Sequence, residues 1–477
     1  MPLPNFRCWL PMGTFALAAA LTGGCQSYVD QPLAPGQTAE QLLNRSLASP
    51  DLREYLKQNL GHDLADWPPK TWDFETLNWV AFYYNPSLEL ARTQWAGAQG
   101  SIITGAERPN PSISLEPGYA FNLQGEKSPW FPGLSVDIPI ETAGKRGKRI
   151  AQAQWLAEAA RQNVFAAAWQ VRADLREALI DGDAAEKRTA AASRQVNAQQ
   201  KVVDLLEQRR SAGAIAADEV STARVALVKA QADADDAARS LLVARSKLAE
   251  TLGVPVAALE GLTLSADQVS TGRVFTTEEL AAARRTALET RADVQSALAN
   301  YQASQSALQL EIAKQYPDVH LGSGYVYDLG ENKFDLSLGV DLPVFNHNEG
   351  PIAEAEAGRR EAAAQLLAVQ AHVIALIDSA TAVSASANGQ VDGMRKVDAE
   401  LRNHLAQVHT QADAGAADAL DYQTALLDVS ASELALIDAQ AQAATAAGQL
   451  EDALQVPFAN LPALAPDTRA PTLATKP

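Results

Sequence analysis

The chain carries one unit twice. Pro111-Ser-Ile-Ser-Leu-Glu-Pro-Gly-Tyr119 is matched by Pro317-Asp-Val-His-Leu-Gly-Ser-Gly-Tyr325 at an offset of 206, and Leu134-Ser-Val-Asp-Ile-Pro-Ile140 by Leu338-Gly-Val-Asp-Leu-Pro-Val344 at 204. Ile150-Ala-Gln-Ala, Ala212-Gly-Ala and Val254-Pro255 recur as Ile352-Ala-Glu-Ala, Ala414-Gly-Ala and Val456-Pro457, each at 202. Five landmarks in one order at nearly constant offset define a tandem duplication, so any fold proposed for one half must serve both.

Proline divides each copy. None occurs between Pro139 and Pro255, between Pro255 and Pro317, or between Pro351 and Pro457. These gaps are rich in Ala, Leu, Gln, Glu and Arg, the strong helix formers. A helix from about Gly147 to Ala212 would run roughly 100 Å at about 1.5 Å per residue. That length, with so much Ala, predicts close-packed helices of coiled-coil type. Ala212-Gly213-Ala214 and Ala414-Gly415-Ala416 break them, which predicts a long helical hairpin with a tight tip in each copy.

Before each hairpin the period changes to two. Phe334, Leu336, Leu338, Val340, Leu342 and Val344 alternate with polar or small residues, and Val319, Leu321, Ser323, Tyr325, Tyr327 and Leu329 do the same. This predicts strands over 317–329 and 333–344 joined at Gly330-Glu331-Asn332, and in the first copy over 111–122 and 131–140 around a loop containing Gly125. Such strands suit either a half-buried sheet in a soluble domain or an outer-membrane barrel wall. Tyr119, Phe121, Trp130, Phe131, Tyr325, Tyr327 and Phe334 cluster where an aromatic girdle would lie. Four strands cannot close a barrel around water, so a barrel requires several chains.

Composition narrows the function. With 39 Lys and Arg against 57 Asp and Glu, a net charge of −18 and a pI near 4.8, the chain lacks the basic footprint that nucleic acid demands. Its two cysteines, Cys8 and Cys25, exclude a disulfide framework or a Cys-based metal site downstream. The six histidines are scattered and read as solvent-facing. No intrinsic cofactor is visible, and no nucleophile–base pair or Gly-x-Ser-x-Gly motif supports an enzyme. Gly144-Lys-Arg-Gly-Lys148 lacks the spacing of a phosphate loop.

Residues 1–24 have the order of a secretory signal: Arg7, an apolar stretch from Trp9 to Leu21, then small residues. The end, Leu21-Thr22-Gly23-Gly24-Cys25, resembles a bacterial lipoprotein signal in which the Cys is acylated. Leu lies one position further from Cys25 than usual. After Cys25 there is no run of 18 consecutive apolar residues, which leaves a closed β-barrel as the way to span a membrane.

Taken together, from about Trp72 to Pro457 the chain resembles the TolC family, the outer-membrane channels of tripartite efflux and type I secretion. The resemblance rests on the helix–strand–strand–helix–tip–helix order, repeated. The segment Ser128-Pro-Trp-Phe-Pro-Gly-Leu-Ser-Val-Asp-Ile-Pro-Ile-Glu-Thr-Ala-Gly-Lys-Arg146 looks like the heavy-metal (cobalt–zinc–cadmium type) branch. The resemblance implies an α+β, TolC-like homotrimer: four strands per chain in a shared 12-stranded outer-membrane barrel, continued by a long periplasmic α-helical barrel. It also implies a periplasmic adaptor, an inner-membrane pump of RND type, and contact with outer-membrane lipid. The implied division is a signal peptide (1–24), an N-terminal segment (25–71), a first repeat (72–257), an equatorial linker (258–275), a second repeat (276–457) and a tail (458–477).

Within that frame the hairpin tips, 212–219 and 413–421, form the adaptor contact around Gly213 and Gly415. The family commonly places an acidic residue six positions after the tip glycine. Here that gives Glu219, with Asp218 beside it, and Asp421, with Asp418 and Asp413 nearby; Thr424 stands where some relatives have a second acid. Three-fold symmetry would turn each into a carboxylate ring that attracts cations and gates the channel. The bland alternative is helix-start acids stabilised by the macrodipole. Lys145, Arg146, Lys148 and Arg149 would fall at the membrane's periplasmic edge, as lipid-phosphate contacts or as a solvated turn.

The expected function is passive conduction of substrate, preferably heavy-metal cations, from pump and adaptor to the exterior. The alternatives are a multidrug or type I secretion channel and, in a different class, a periplasmic coiled-coil adaptor or scaffold.

Overall fold

The computed structural model describes residues 28–64, 66–121, 128–270, 275–328 and 330–455. The expected signal segment, Cys25, the Gly125 loop, the Val456-Pro457 landmark and the tail lie outside the described residues. The chain divides at Arg45 into two units. The first holds helix α1 (Pro35–Leu43), opened by Pro35 at a position where the absent N–H costs nothing.

The second unit begins with α2 (Pro50–Leu60), β1 (Thr71–Trp72) and α3 (Phe74–Tyr84). The first repeat then runs α4 (Pro86–Ala106), β2 (Ser112–Tyr119), β3 (Trp130–Ile140), α5 (Lys145–Ser211) and α6 (Ala217–Leu252). A 3₁₀ turn (Val256–Leu259) and β4 (Thr263–Leu264) follow. The second repeat runs α7 (Thr277–Thr290), α8 (Ala292–Ala313), β5 (Val319–Asp328), β6 (Glu331–Val340), α9 (Glu349–Asp413) and α10 (Ala419–Leu454). The long helices have 67 and 65 residues.

Local chemistry sets the boundaries. Asp73 caps α3 by accepting the Thr76 N–H, and Asn85 caps α4 by accepting that of Ser87. Thr276 and Glu279 form a reciprocal capping box on α7. At the first tip Gly213 takes φ +75°, the Ala214 N–H reaches the Arg209 carbonyl at 2.9 Å, and the chain reverses. Gly415 (φ +73°) and the Ala416 N–H on Gln411 O, 2.8 Å, repeat this six-to-one closure at the second tip.

The main core lies where α2, α3 and the parallel β1–β4 pair pack on α5 and the end of α6. Trp72, Leu52, Leu56, Leu77, Leu175 and Leu252 are fully buried there. In the helical layer α6 packs on α5, α5 on α10 and α10 on α9, which leaves α6 and α9 at the two edges.

The four long strands form one antiparallel sheet in the order β2-β3-β5-β6, joining the hairpins of the two repeats through β3 and β5. Register separates two faces, because side chains directly opposite across strands share a face. One has rows Ile113–Val136–Ser323–Leu336 and Leu115–Leu134–Tyr325–Phe334. The other has Ser112–Asp137–Gly322–Ser337, Ser114–Ser135–Gly324–Asp335 and Glu116–Gly133–Val326–Lys333. Ile113, Leu115, Phe334, Leu336 and Leu338 are exposed on the apolar face, as are the rings of Tyr119 and Trp130, which meet edge to face.

Several strand limits differ from the sequence expectation. β2 stops at Tyr119, where its ladder with Trp130 ends. The second hairpin is tighter than expected: Asp328 pairs with Glu331, and Gly330 sits at φ +90°. β6 stops at Val340 although the alternation continues to Val344. Its partner β5 begins at Val319, opposite Val340, so nothing remains to pair with, and Pro343 has no N–H to offer.

Candidate functional site

The two tips meet. Val202, Val203, Leu206, Val220, Ala223 and Leu227 of the first hairpin form a buried cluster, and Leu420 and Leu427 of α10 pack against it. Above this contact Arg209, in the last turn of α5, forms an ion pair with Asp418. Arg209 sits where the helix C-terminus favours a cation. That rule marks its position in the sequence but not its partner.

The four expected gate acids fall into two kinds. Asp218 and Glu219 lie in the first turn of α6, exposed, and among the described residues neither carboxylate has a hydrogen-bond or ion-pair partner. Asp418 and Asp421 are bound to backbone. Asp418 is the N-cap of α10 and accepts the N–H groups of Leu420 at 2.7 Å and Asp421 at 3.0 Å. Asp421 accepts the Asp418 N–H at 3.0 Å, completing a capping box. The Asp421 N–H first, and then Arg209, hold the Asp418 carboxyl below its usual range against slight burial. Asp413 pairs instead with His409, Nδ1 to Oδ2 3.0 Å. Gly213 and Gly415 are exposed at the tips.

From Asp421 an exposed stripe continues along α10 at heptad spacing through Asp428, Ala435, Gln442 and Gln449, with Thr424 alongside. It carries no large apolar residue.

At the other end of the hairpins the basic cluster is mostly engaged within the chain. Lys145 is buried and reaches Asp318 at 2.8 Å. Arg146 donates to the Ala106 carbonyl at 2.6 Å, and Arg149 grips Glu141 and the Glu107 carbonyl. Asp318 also accepts the Thr142 N–H at 2.9 Å. Three of the four thus clamp the ends of α4, β3 and β5 to the start of α5, contacts that neither the lipid-phosphate nor the solvated-turn expectation included. Lys148 alone makes no ion pair or side-chain hydrogen bond among the described residues.

Sequence reasoning missed two further groupings. Arg172 and Arg176 of α5 are buried against Glu451 and Asp452 of α10, with Arg172 also over the rings of Phe74 and Trp169. Burial pulls the Arg172 guanidinium below its ordinary value, and Glu451 opposes this. The other is His320, read as merely solvent-facing, which pairs with Asp137 across the sheet. Neither pairing has a local signature, since the partners are 279 and 183 residues apart.

The profile of the outer membrane efflux protein family matches residues 83–254 and 283–455, the two repeats. The cobalt-zinc-cadmium resistance protein CzcC of Cupriavidus metallidurans is 25% identical over 280 residues, 57% of this chain and 63% of CzcC, so the match spans under two thirds of that relative. The outer membrane protein VceC of Vibrio cholerae superposes with a TM-score of 0.65 at 20% identity, covering 80% of this chain and 95% of VceC. The CmeC outer membrane channel of Campylobacter jejuni gives 0.63 at 16% identity, with 80% and 85% covered. These likenesses carry the fold.

Proposed function

The chain belongs to the outer membrane efflux protein family and is located in the outer membrane, and from that premise we propose that three copies form a passive efflux channel. The observation that carries this reading is the sheet. One face is largely apolar and exposed, the opposite face is mostly small or polar, and among the described residues the edge strands β2 and β6 each pair on one side only. β6 of one copy pairing with β2 of the next would close a barrel, with the apolar face in lipid and the polar face on water. The helical layer has matching open edges. Val225, Val228, Leu242 and Val243 of α6 are exposed, as are Leu376, Val383 and Val397 of α9, the last three at multiples of seven. An 18-residue window of α9 with mean hydropathy 1.7 is only 17% buried in one chain. A neighbouring α6 would cover it and continue the layer as a periplasmic tunnel.

Such a channel performs no chemistry. Energy and most selectivity come from an inner-membrane pump of RND type, reached through a periplasmic adaptor that docks at Gly213 and Gly415. Glu219 and Asp421, with Asp218 and Asp418, form the cation-sensitive constriction. An acyl group on Cys25 anchors the N-terminus, and Lys148 is the member of its cluster left for lipid phosphate. Heavy-metal cations are the preferred cargo, supported by the likeness to a cobalt-zinc-cadmium resistance protein. A multidrug or secretion role is the second reading.

A susceptibility profile of a strain deleted for the gene tests both. Sensitisation to zinc, cobalt, cadmium, nickel or copper alone is the expected result. Sensitisation to antibiotics, dyes or detergents with metal tolerance intact keeps the channel and overturns the cargo. Recovery of the chain as a water-soluble monomer would sink the channel itself.

A further inference from the structure

The polar face of the sheet carries one imidazole. His320, the second residue of β5, lies opposite Gly339 of β6, so no side chain at that position covers the ring. Its Nδ1 lies 3.0 Å from Oδ2 of Asp137 on β3, and the two side chains are 41% and 42% exposed. Asp341, just after β6, adds negative charge near the pair, while Asp318, just before β5, is itself paired with Lys145. His320 and Asp137 open toward the face that the channel reading assigns to water.

A carboxylate on one ring nitrogen fixes the tautomer. The proton sits on Nδ1, donated to Asp137, and Nε2 is left with a free lone pair. An imidazole in this arrangement favours borderline divalent cations, whereas hard cations prefer oxygen ligands alone. Among the described residues no three His, Cys, Asp or Glu converge on one ion. An ion at Nε2 would therefore keep most of its water. Such a site is weak and exchanges fast, which suits an ion in passage better than one in storage.

We propose that His320, oriented by Asp137, is a contact point for zinc-like divalent cations on the wall of the conducting path, at the end of the sheet nearest the helices. The inference rests on the channel reading above and deepens it, by giving the wall a preference among cations where the carboxylates at the tips supply only charge. Each copy contributes its own point.

The test uses the full-length protein in planar bilayers, with ZnCl2 or MgCl2 added from the barrel side, so that the ion reaches His320 without crossing the tips. The expected result is a reduction of current by zinc at concentrations where magnesium has no effect. His320→Gln removes that difference, and Asp137→Asn raises the half-blocking zinc concentration about 10-fold, the usual cost of losing such a carboxylate partner. Equal responses of wild type to the two ions overturn the proposal, as does zinc block that survives in His320→Gln. Should His320→Gln fail to insert, Asp137→Asn decides by the same comparison, an unchanged half-blocking concentration overturning the proposal. Absence of current from the wild type would count against the channel reading instead.

Discussion

Arg209, at the end of α5, and Asp418, at the start of α10, form an ion pair that ties the two hairpin tips of one chain together. The residues are 209 positions apart, so the pair joins the two repeats. Both side chains are substantially exposed, 37% and 51%, which limits the pair to under about 1 kcal/mol. A tie of that strength biases a conformational equilibrium without locking it.

Arg209→Ala should therefore raise channel open probability by up to about fivefold, and less at high salt, which screens exposed pairs. Asp418→Ala should do the same and also lower thermal stability by about 1 kcal/mol, because it removes the α10 cap. Single-channel recording with melting curves separates the two effects. An Arg209→Ala channel identical to wild type at low salt would remove the tie from the gating scheme.

The pair should be indifferent to pH across the physiological range. The Asp418 carboxyl is held below its ordinary value, so its stabilising contribution is complete above the unfolded pKa of about 3.9 and is lost only as pH falls through the lower folded value. Recordings of wild type and Arg209→Ala between pH 5 and 8 should keep a constant ratio. A ratio collapsing near pH 6 would contradict this.

At the tips the two acids should not be equivalent. Among the described residues Glu219 has no partner, while Asp421 shares a capping box with Asp418. Glu219→Ala should relieve divalent block from the periplasmic side with little change in stability. Asp421→Ala should cost stability as well, about 0.5–2 kcal/mol. Unchanged conductance and block in the double variant would sink the gate assignment.

The buried Arg172–Glu451 pair gives a sharper stability test. Both side chains are nearly inaccessible, 3% and 6% exposed. Glu451→Leu alone leaves the Arg172 guanidinium buried without its main partner, while Arg176 keeps Asp452, and should cost about 3–5 kcal/mol. Adding Arg172→Met should recover most of the loss, because a packed apolar pair replaces a desolvated ionic one. Thermal melting of the detergent-extracted protein checks the order; a double variant no better than the single would refute it.

Two glycines make a matched comparison. Gly213 and Gly253 both sit in the left-handed region, at φ +75° and +71°. A Cβ at Gly213 meets nothing, but one at Gly253 would lie 2.5 Å from the Tyr84 carbonyl oxygen. Gly213→Ala should cost about 1–2 kcal/mol, the left-handed penalty, and Gly253→Ala distinctly more, because backbone cannot swing aside. Equal melting temperatures for the two variants would contradict the packing.

What consecutive residues encode was readable without coordinates. The duplication, the 67- and 65-residue helices, the two tip glycines and the alternation of four strands follow from proline gaps, helix propensity and period-two patterning, all of which act within a few residues. The tertiary structure alone decided what each charged group meets. It turned Lys145, Arg146 and Arg149 inward, closed Asp421 into a cap while leaving Glu219 open, and brought Arg172 to Glu451 and His320 to Asp137. The physical reason is range. A helix or strand is set by its own neighbours. An ion pair between elements some 200 residues apart depends on the register in which whole helices and strands pack, and no local pattern carries that register.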